Sequence, residues 1–331
     1  MKLKPQSLTP LALLAALAIS AAVATARTPV NVPLTSDGAA AGKTATEVLD
    51  AVTDKLNELD SLSCDLTQSV TMSGQELRAV GKYIQATGNR MRLEYRLYSA
   101  QPVTTETQEA QSDLNSSRPA ERDDQVTGSL QQVNDGSVLW SLWINGDQKQ
   151  LTRRNVRQIT EAAGEIPNYS AARSLQDLGV GGLQTLITQL QTGMEFGQVL
   201  EQKAGETSLL VLSGRWTTKA KEEYFQLPAD STAALPEYIP DYVRIYIDAT
   251  AMLPRRIQYL KKHPNPEQQQ VRPMSTMDLR NIVLNGEINE AAFTFRQPEG
   301  ETIPEVDLTA QTIESIKQIA APPTTEPESR E

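Results

Sequence analysis

Cysteine and histidine are nearly absent from this chain of 331 residues, which contains one of each. One cysteine excludes a disulfide framework and a thiolate zinc cluster, and one histidine excludes a metal centre built from several histidines. Aromatic residues make up only 5% of the chain, which leaves few side chains for aromatic platforms. The formal net charge of −10 argues against a nucleic-acid-binding protein and against attachment to anionic lipid through a basic patch. Composition therefore excludes many enzyme and nucleic-acid-binding classes.

Long apolar runs are also missing, except at the N-terminus. Lys2 and Lys4 precede an apolar run over residues 11–24, and residues 24–26 (Ala-Thr-Ala) form a small-x-small cleavage site. This pattern predicts a signal peptide over residues 1–26 and a mature protein that is exported and soluble in the periplasm. An uncleaved anchor is the alternative, but the run is shorter than the roughly 18 residues that span a bilayer.

The mature chain begins with residues 27–43, whose small and polar composition predicts a flexible leader. Thr44 and Glu47 form a capping box before apolar residues at helical spacing, which predicts an amphipathic helix. From residue 62 the period changes to two, which predicts three antiparallel strands with short turns. In the third strand, Met91, Leu93, Tyr95 and Leu97 face one way, and Arg90, Arg92, Glu94 and Arg96 face the other.

Residues 99–127 interrupt these strands and predict a disordered insertion, because Gln, Glu, Ser, Thr and Asp dominate them. Beyond the insertion, strands and helices alternate up to a closing helix over 306–319 and a disordered tail over 320–331. Strands are predicted at 128–134, 137–145, 148–152, 195–203, 207–216, 241–249, 254–261, 274–285 and around 292–296, and helices at 153–164 and 174–193.

This order of elements predicts an α+β fold with one large antiparallel sheet in a single domain over residues 44–319. A strongly twisted sheet of this size tends to curl on itself. The amphipathic helices are the available cover for its concave face. A curled sheet beneath loosely fitting helices could enclose an apolar cavity.

Candidate catalytic motifs are weak. Gly42-Lys43-Thr44 lacks the earlier glycine and the preceding strand of a phosphate-binding loop, and the glycines at 179–182 lack an accompanying lysine. His263 lies in a basic, proline-containing turn, and Cys64 falls on the apolar face of a strand, as a buried small hydrophobe would. Paired carboxylates for glycoside hydrolysis need no local signature and stay open as an enzyme alternative. We expect no enzyme, no cofactor and no metal.

Four segments resemble a known family. After the leading helix and the export signal, they occur in the order found in the LolA/LolB-like lipoprotein-carrier superfamily, and they spread over about residues 45–310. They are 81–84 with 89–95 (GKYI and NRMRLEY), 134–140 (NDGSVLW), 243–248 with 253–257 (VRIYID and LPRRI), and 278–300 followed by Asp307.

The resemblance implies an unclosed antiparallel β-barrel with helices as a lid over an apolar cavity. It also implies that the protein carries acyl chains of lipoproteins across the periplasm. Such a carrier is physically reasonable because each exposed methylene costs about 0.8 kcal/mol in water, so an acyl chain needs an apolar cavity to cross an aqueous compartment. Thr87-Gly88 stands where well-known carriers have Arg-Pro, so their lid latch is not carried over, and Arg90 is only a nearby candidate. Leu93 stands where an aromatic residue is usual.

We therefore predict a LolA-like carrier, transport chaperone or binder of lipoproteins or lipid acyl chains. The alternative is a periplasmic sensor or protein-interaction module of the same fold, with residues 99–127 and the tail as contacts for envelope proteins. A monomer without nucleic acid is expected in either case. The residues predicted to line the cavity, or else to form a filled core, are Leu66, Val70, Met91, Leu93, Tyr95, Leu97, Trp140, Leu142, Val243, Ile245 and Ile247.

Overall fold

The computed structural model describes residues 42–72, 75–102, 125–166, 178–225, 227, 235–263 and 270–320, with short backbone pieces at 32–33 and 39–40. The predicted signal peptide, residues 103–124 of the predicted insertion and the tail beyond residue 320 lie outside the described residues.

Within that part of the chain there are fifteen strands, five α-helices and one 3₁₀-helix. The helices are α1 (Ala45–Asn57), α2 (Val156–Gly164), α3 (Gly182–Gly193), α4 (Thr218–Phe225) and α5 (Thr309–Ala320), and the 3₁₀-helix is Glu290–Phe293. The strands are β1 (Val32–Pro33), β2 (Ala39–Ala40), β3 (Ser61–Met72), β4 (Gln75–Ala86), β5 (Arg90–Pro102), β6 (Val126–Asn134), β7 (Val138–Asn145), β8 (Gln148–Asn155), β9 (Met194–Phe196), β10 (Leu200–Ala204), β11 (Thr207–Trp216), β12 (Tyr242–Asp248), β13 (Leu253–Lys262), β14 (Gln270–Leu284) and β15 (Glu305–Asp307).

All fifteen strands belong to one sheet. Its main path runs β15-β8-β7-β6-β5-β4-β3-β14-β13-β12-β11-β10-β2, while β1 pairs with β14 and β9 with β11. Every pairing is antiparallel except that of β15 with β8. The path is not closed within the described part of the chain. The predicted α+β fold, one large, curled, unclosed antiparallel sheet covered by helices, is confirmed.

Two glycines allow neighbouring strands to approach closely in the first half of the sheet. A Cβ atom at Gly81 would overlap the carbonyl oxygen of Glu94, and a Cβ atom at Gly128 would overlap that of Ile144. Since both oxygens belong to the backbone, a side chain at either position would push two strands apart. These glycines therefore fix the local geometry of the sheet between β4 and β7.

The sheet has a concave face, which bears Leu66, Leu93 and Ile245, and an opposite, convex face. Helices α1 and α3 lie on the concave face. The predicted capping box of α1 is present, because the Glu47 N–H donates to Thr44 Oγ1 at 3.2 Å. The apolar residues that the two helices bury are Val48, Leu49, Val52 and Leu56 from α1 and Leu183, Ile187 and Leu190 from α3.

Residues 286–308, which we call the C-terminal strap, cross the convex face after β14. The strap packs on β5 through its 3₁₀-helix, and Phe295 stacks on Trp140 with ring centroids 6.1 Å apart and planes within 8°. Further along, Ile303 packs with Leu142 and Leu151. The strap ends in β15, which pairs with β8, and α5 then packs on α2.

Several local predictions were wrong. The strand predicted around 292–296 is a 3₁₀-helix, because the Asn289 side chain accepts from the Ala291 N–H and starts a helical turn there. The strand predicted at 195–203 is divided into β9 and β10. Helix α4 was not predicted. Strand β5 continues into the predicted insertion as far as Pro102, and β6 begins within it at Val126.

The predicted flexible leader contributes two short strands. Val32–Pro33 pairs with the beginning of β14, and Ala39–Ala40 pairs with β10 at the end of the main path. Both pieces are only two residues long, which is too short for a period of two to be visible in the sequence.

Candidate functional site

Most predicted cavity residues meet in one apolar cluster on the concave face. The register explains this, because Tyr95 lies opposite Gly81 and Gly81 lies opposite Leu66, while Ile245 lies opposite Ile257. Leu97 is partly buried against the cluster. Val70, near the end of β3, is buried but does not belong to the cluster. The predicted residues that are buried members of the cluster are Leu66, Met91, Leu93, Tyr95, Val243, Ile245 and Ile247.

Trp140 and Leu142 lie on the convex face, so their assignment to the concave face is corrected. Leu142 belongs to a separate cluster with Leu151 and Ile303 beneath the strap, and Trp140 packs against it. The concave face of β7 instead presents Trp143, which packs on the main cluster. The error arises because β7 has large apolar residues on both faces and its burial depends on a distant segment.

One side chain of the sheet holds the N-terminus of α3. The Leu183 N–H donates to Gln85 Oε1 at 3.1 Å, and the Tyr83 hydroxyl donates to the same oxygen at 2.9 Å. The N-cap residue of α3, Gly181, makes no side-chain hydrogen bond. The start of α3 is therefore attached through an amide oxygen on the concave face, which we call the Gln85 contact.

Gly182 makes this close approach of α3 possible. Its φ is +67°, and a Cβ atom there would lie 2.6 Å from Gln85 Oε1 and 2.8 Å from the Tyr83 hydroxyl oxygen. A larger residue would be strained in the backbone and would also displace the Gln85 contact. At the other end of α3, Gln191 Nε2 donates to Asp50 Oδ1 of α1 at 2.6 Å, so the two helices are joined to each other.

Arg90, the nearby latch candidate, lies on the convex face. Its Nε donates to the Thr87 carbonyl at 2.9 Å. Its guanidinium pairs with Glu290 and lies 5.1 Å from the centroid of the Phe293 ring. All of these contacts attach the strap or the turn before β5. Arg90 therefore does not hold α1 or α3, whereas Gln85 binds the start of α3.

Burial shifts the pKa of several polar side chains on the concave face toward their uncharged forms. Burial raises the pKa of the Cys64 thiol to about 12, with a smaller effect from Asp65, so the thiol is protonated and unreactive at neutral pH. Burial likewise raises the pKa of the Tyr83 and Tyr95 hydroxyls. Arg154 lies opposite Leu139 on this face, and burial lowers the pKa of its guanidinium.

The weak catalytic motifs have structural places. Thr44 of Gly42-Lys43-Thr44 is the N-cap of α1, and His263 follows the end of β13. In the ranges that the structure describes, no group of three or more His, Cys, Asp and Glu side chains could hold a metal ion. None of the helices described combines the length and the apolarity needed to cross a bilayer.

Two residues of this face, Gln68 and Gln85, were not predicted from the sequence. Gln68 occupies the concave position between Leu66 and Val70, where the alternation of β3 calls for an apolar residue. A polar residue that breaks such an alternation is the signal that could have found it. Gln85 carries no comparable signal, because its role depends on α3, almost a hundred residues further along the chain (sequence separation 98).

No protein-family model matches this chain, and no curated protein is similar to it in sequence. Solved structures do resemble it. An outer membrane lipoprotein-sorting protein domain from Vibrio parahaemolyticus is 8% identical with a TM-score of 0.29, covering 76% of this chain and 97% of its own. Lipoprotein LppX from Mycobacterium tuberculosis is 9% identical with a TM-score of 0.36, covering 74% and 99%. A DUF1329 family protein from Desulfovibrio piger is 11% identical with a TM-score of 0.27, covering 75% and 96%.

At such low identities and TM-scores, no ligand, activity or partner is transferred to this chain from these structures.

Proposed function

We propose that this chain is an exported, non-catalytic carrier or binder that holds acyl chains of lipoproteins or lipids against the concave face. The supporting observation is the way that face is covered: two amphipathic helices lie on it through apolar side chains, and α3 is hydrogen-bonded to the sheet at the Gln85 contact. Apolar contacts are not directional, so an acyl chain can replace them.

The magnitudes favour such a replacement. An acyl chain of roughly 16 carbons gains about 13 kcal/mol when its methylenes leave water. The three buried side chains of α3, Leu183, Ile187 and Leu190, contribute about 5–9 kcal/mol together by the same measure. The Gln85 contact adds about 1 kcal/mol for each hydrogen bond. A bound chain therefore offsets the cost of lifting α3 from the sheet.

The proposal also includes export, a monomeric carrier domain and transfer of the ligand. Residues 1–26 would be removed as a signal peptide, and residues 44–319 would act as a monomeric carrier domain in the periplasm. Transfer to an envelope protein would end the cycle. The protein-interaction alternative keeps the fold and the location but requires no ligand on the concave face.

Native mass spectrometry of the mature protein, from Arg27 and purified from a periplasm, tests the proposal. We expect a co-purifying lipid or lipopeptide mass that disappears on mild denaturation, and uptake of a fluorescent fatty-acyl probe after its removal. A clean ligand-free mass with no probe uptake would overturn the proposal and favour the interaction module.

The Gln85→Leu variant tests the role of α3. It removes the acceptor of two hydrogen bonds, so we expect a loss of about 1–3 kcal/mol in the free energy of unfolding and probe uptake several-fold faster. The control is Gln131→Leu, which changes a glutamine on the convex face of β6 that donates to Glu94 at 3.2 Å. Equal uptake rates in the two variants would show that α3 does not open during loading.

A further inference from the structure

Two polar atoms of the concave face lack a hydrogen-bond partner in the described structure: the Tyr95 hydroxyl and Gln68 Oε1. Both residues are only 3% exposed. A buried polar group without a partner is costly, and native proteins rarely keep one without a reason. Here the two atoms differ usefully, since the hydroxyl can donate and the amide oxygen can only accept.

The register places these two side chains on the same stretch of the concave wall. Tyr95 is separated from Leu66 by Gly81, and Leu97 is separated from Gln68 by Ala79. Strand β4 therefore contributes only a glycine and an alanine between them, so no large side chain of that strand stands between Tyr95 on β5 and Gln68 on β3. Neither residue takes part in the Gln85 contact.

We propose that Tyr95 and Gln68 are the polar binding contacts for a ligand whose buried part carries one acceptor and one donor. An amide-linked acyl chain has both: its carbonyl oxygen accepts from the Tyr95 hydroxyl, and an N–H donates to Gln68 Oε1. A plain hydrocarbon satisfies neither atom. This inference rests on the proposed function, because the ligand must reach the concave face.

The arrangement makes the site selective. A site with unpaired polar atoms discriminates strongly against an analogue that cannot pair with them, because those atoms then stay buried and unsatisfied. An apolar wall alone would bind acyl amides and alkanes according to chain length. Tyr95 and Gln68 add a preference for the linkage at the end of the chain.

Two pyrene-labelled probes of equal chain length, an N-acyl amide and an alkane, test this with the mature protein. Tyr95→Phe removes only the hydroxyl, and Gln68→Met keeps the length of the side chain. We expect each variant to bind the amide about fivefold more weakly, which corresponds to one neutral hydrogen bond, and to bind the alkane with unchanged affinity. Tyr246→Phe, on the convex face, is the control and should change neither affinity.

Thermal unfolding of the ligand-free proteins gives a second measurement. Because the Tyr95 hydroxyl has no partner, Tyr95→Phe should keep or raise the Tm, whereas a hydroxyl with a structural partner would lower it. A lower Tm, or an unchanged ratio of amide to alkane affinity while the wild type binds both, would overturn this inference and leave the proposed function standing. Binding of neither probe by the wild type would overturn both.

Discussion

The two coverings of the sheet are attached in different ways. Helices α1 and α3 lie on the concave face mainly through apolar side chains, whereas the C-terminal strap is bound to the convex face by several directed polar bonds in addition to its apolar contacts. The polar bonds of the strap and the helix after it include Arg92 to the Ala292 carbonyl at 3.0 Å, Lys149 to Glu301 at 2.6 Å, Arg153 to Asp307 at 2.6 Å and the Asn155 N–H to Thr309 at 2.9 Å.

The difference indicates which covering can leave the sheet. Apolar contacts of α3 can be exchanged for contacts with another apolar molecule at little net cost, because burial is not directional. An acyl chain cannot replace the polar bonds of the strap, because a hydrocarbon neither donates nor accepts a hydrogen bond. We infer that the strap holds the sheet in shape while α3 moves.

The largest expected effect is on the strap. Phe293 is 3% exposed and lies beneath the Arg90 guanidinium. Phe293→Ala should lower the free energy of unfolding by about 3–5 kcal/mol, measured by urea denaturation, because it leaves a cavity between the strap and β5. The rate of probe uptake by the folded protein should not change. Glu290→Ala, at an exposed residue of the same turn, should cost less than about 1 kcal/mol.

A smaller effect is expected at the start of α3. Gly182→Ala should lower the free energy of unfolding by about 1–2 kcal/mol, because alanine is strained at a positive φ. The free energy should fall further because the new Cβ would overlap the atoms of the Gln85 contact. Gly300→Ala is the matched control, because that glycine has a φ of +75° and nothing within 4 Å of the added Cβ. Only Gly182→Ala should speed probe uptake; the same uptake in both variants would contradict the assignment of α3 as the moving part.

The smallest effect is a pH dependence of the strap. Hydrogen bonds from the Thr309 hydroxyl and N–H, and then the Arg153 guanidinium, lower the pKa of Asp307 to about 2. The stabilisation is therefore complete above the unfolded pKa of about 3.9 and is lost as the pH falls through about 2. Because the carboxylate is exposed to solvent, we expect less than about 1 kcal/mol.

Urea denaturation of the wild type and Asp307→Asn at pH 6, 4 and 2 would measure this contribution. The difference between the two proteins should shrink as the pH falls. A difference that stays constant down to pH 2 would show that the charge of Asp307 does not stabilise the strap.

The sequence could predict the strands that are apolar on one face only. In β5 the apolar and charged residues alternate without exception from Arg90 to Leu97, and the prediction that Met91, Leu93 and Tyr95 share a buried face was correct. In β7 the alternation is lost, because Leu139 and Trp143 face the main cluster while Trp140 and Leu142 face the strap. No local pattern distinguishes the two faces of such a strand.

The parts that could not be predicted depend on contacts between distant residues. The role of Gln85 is visible only when Leu183 lies beside it in the fold. The 3₁₀-helix at 290–293 depends on the Asn289 side chain and on packing against β5. The unpaired atoms of Tyr95 and Gln68 appear only when all neighbouring side chains are known. The sequence therefore predicts the apolar wall but not its polar exceptions.

The pairing of β3 with β14 has a consequence for how the protein folds. It joins the first long strand to the last, and the Asn285 side chain then accepts from the Asp60 N–H at a sequence separation of 225. Strands β3 to β8 pair with their sequence neighbours, as do β11 to β14, so each half can form before the two halves are joined. Closing the middle of the sheet must wait for residues near the end of the chain, and such high contact order slows folding. Until that pairing forms, two half-sheets would expose their apolar faces to water in the compartment where the protein folds.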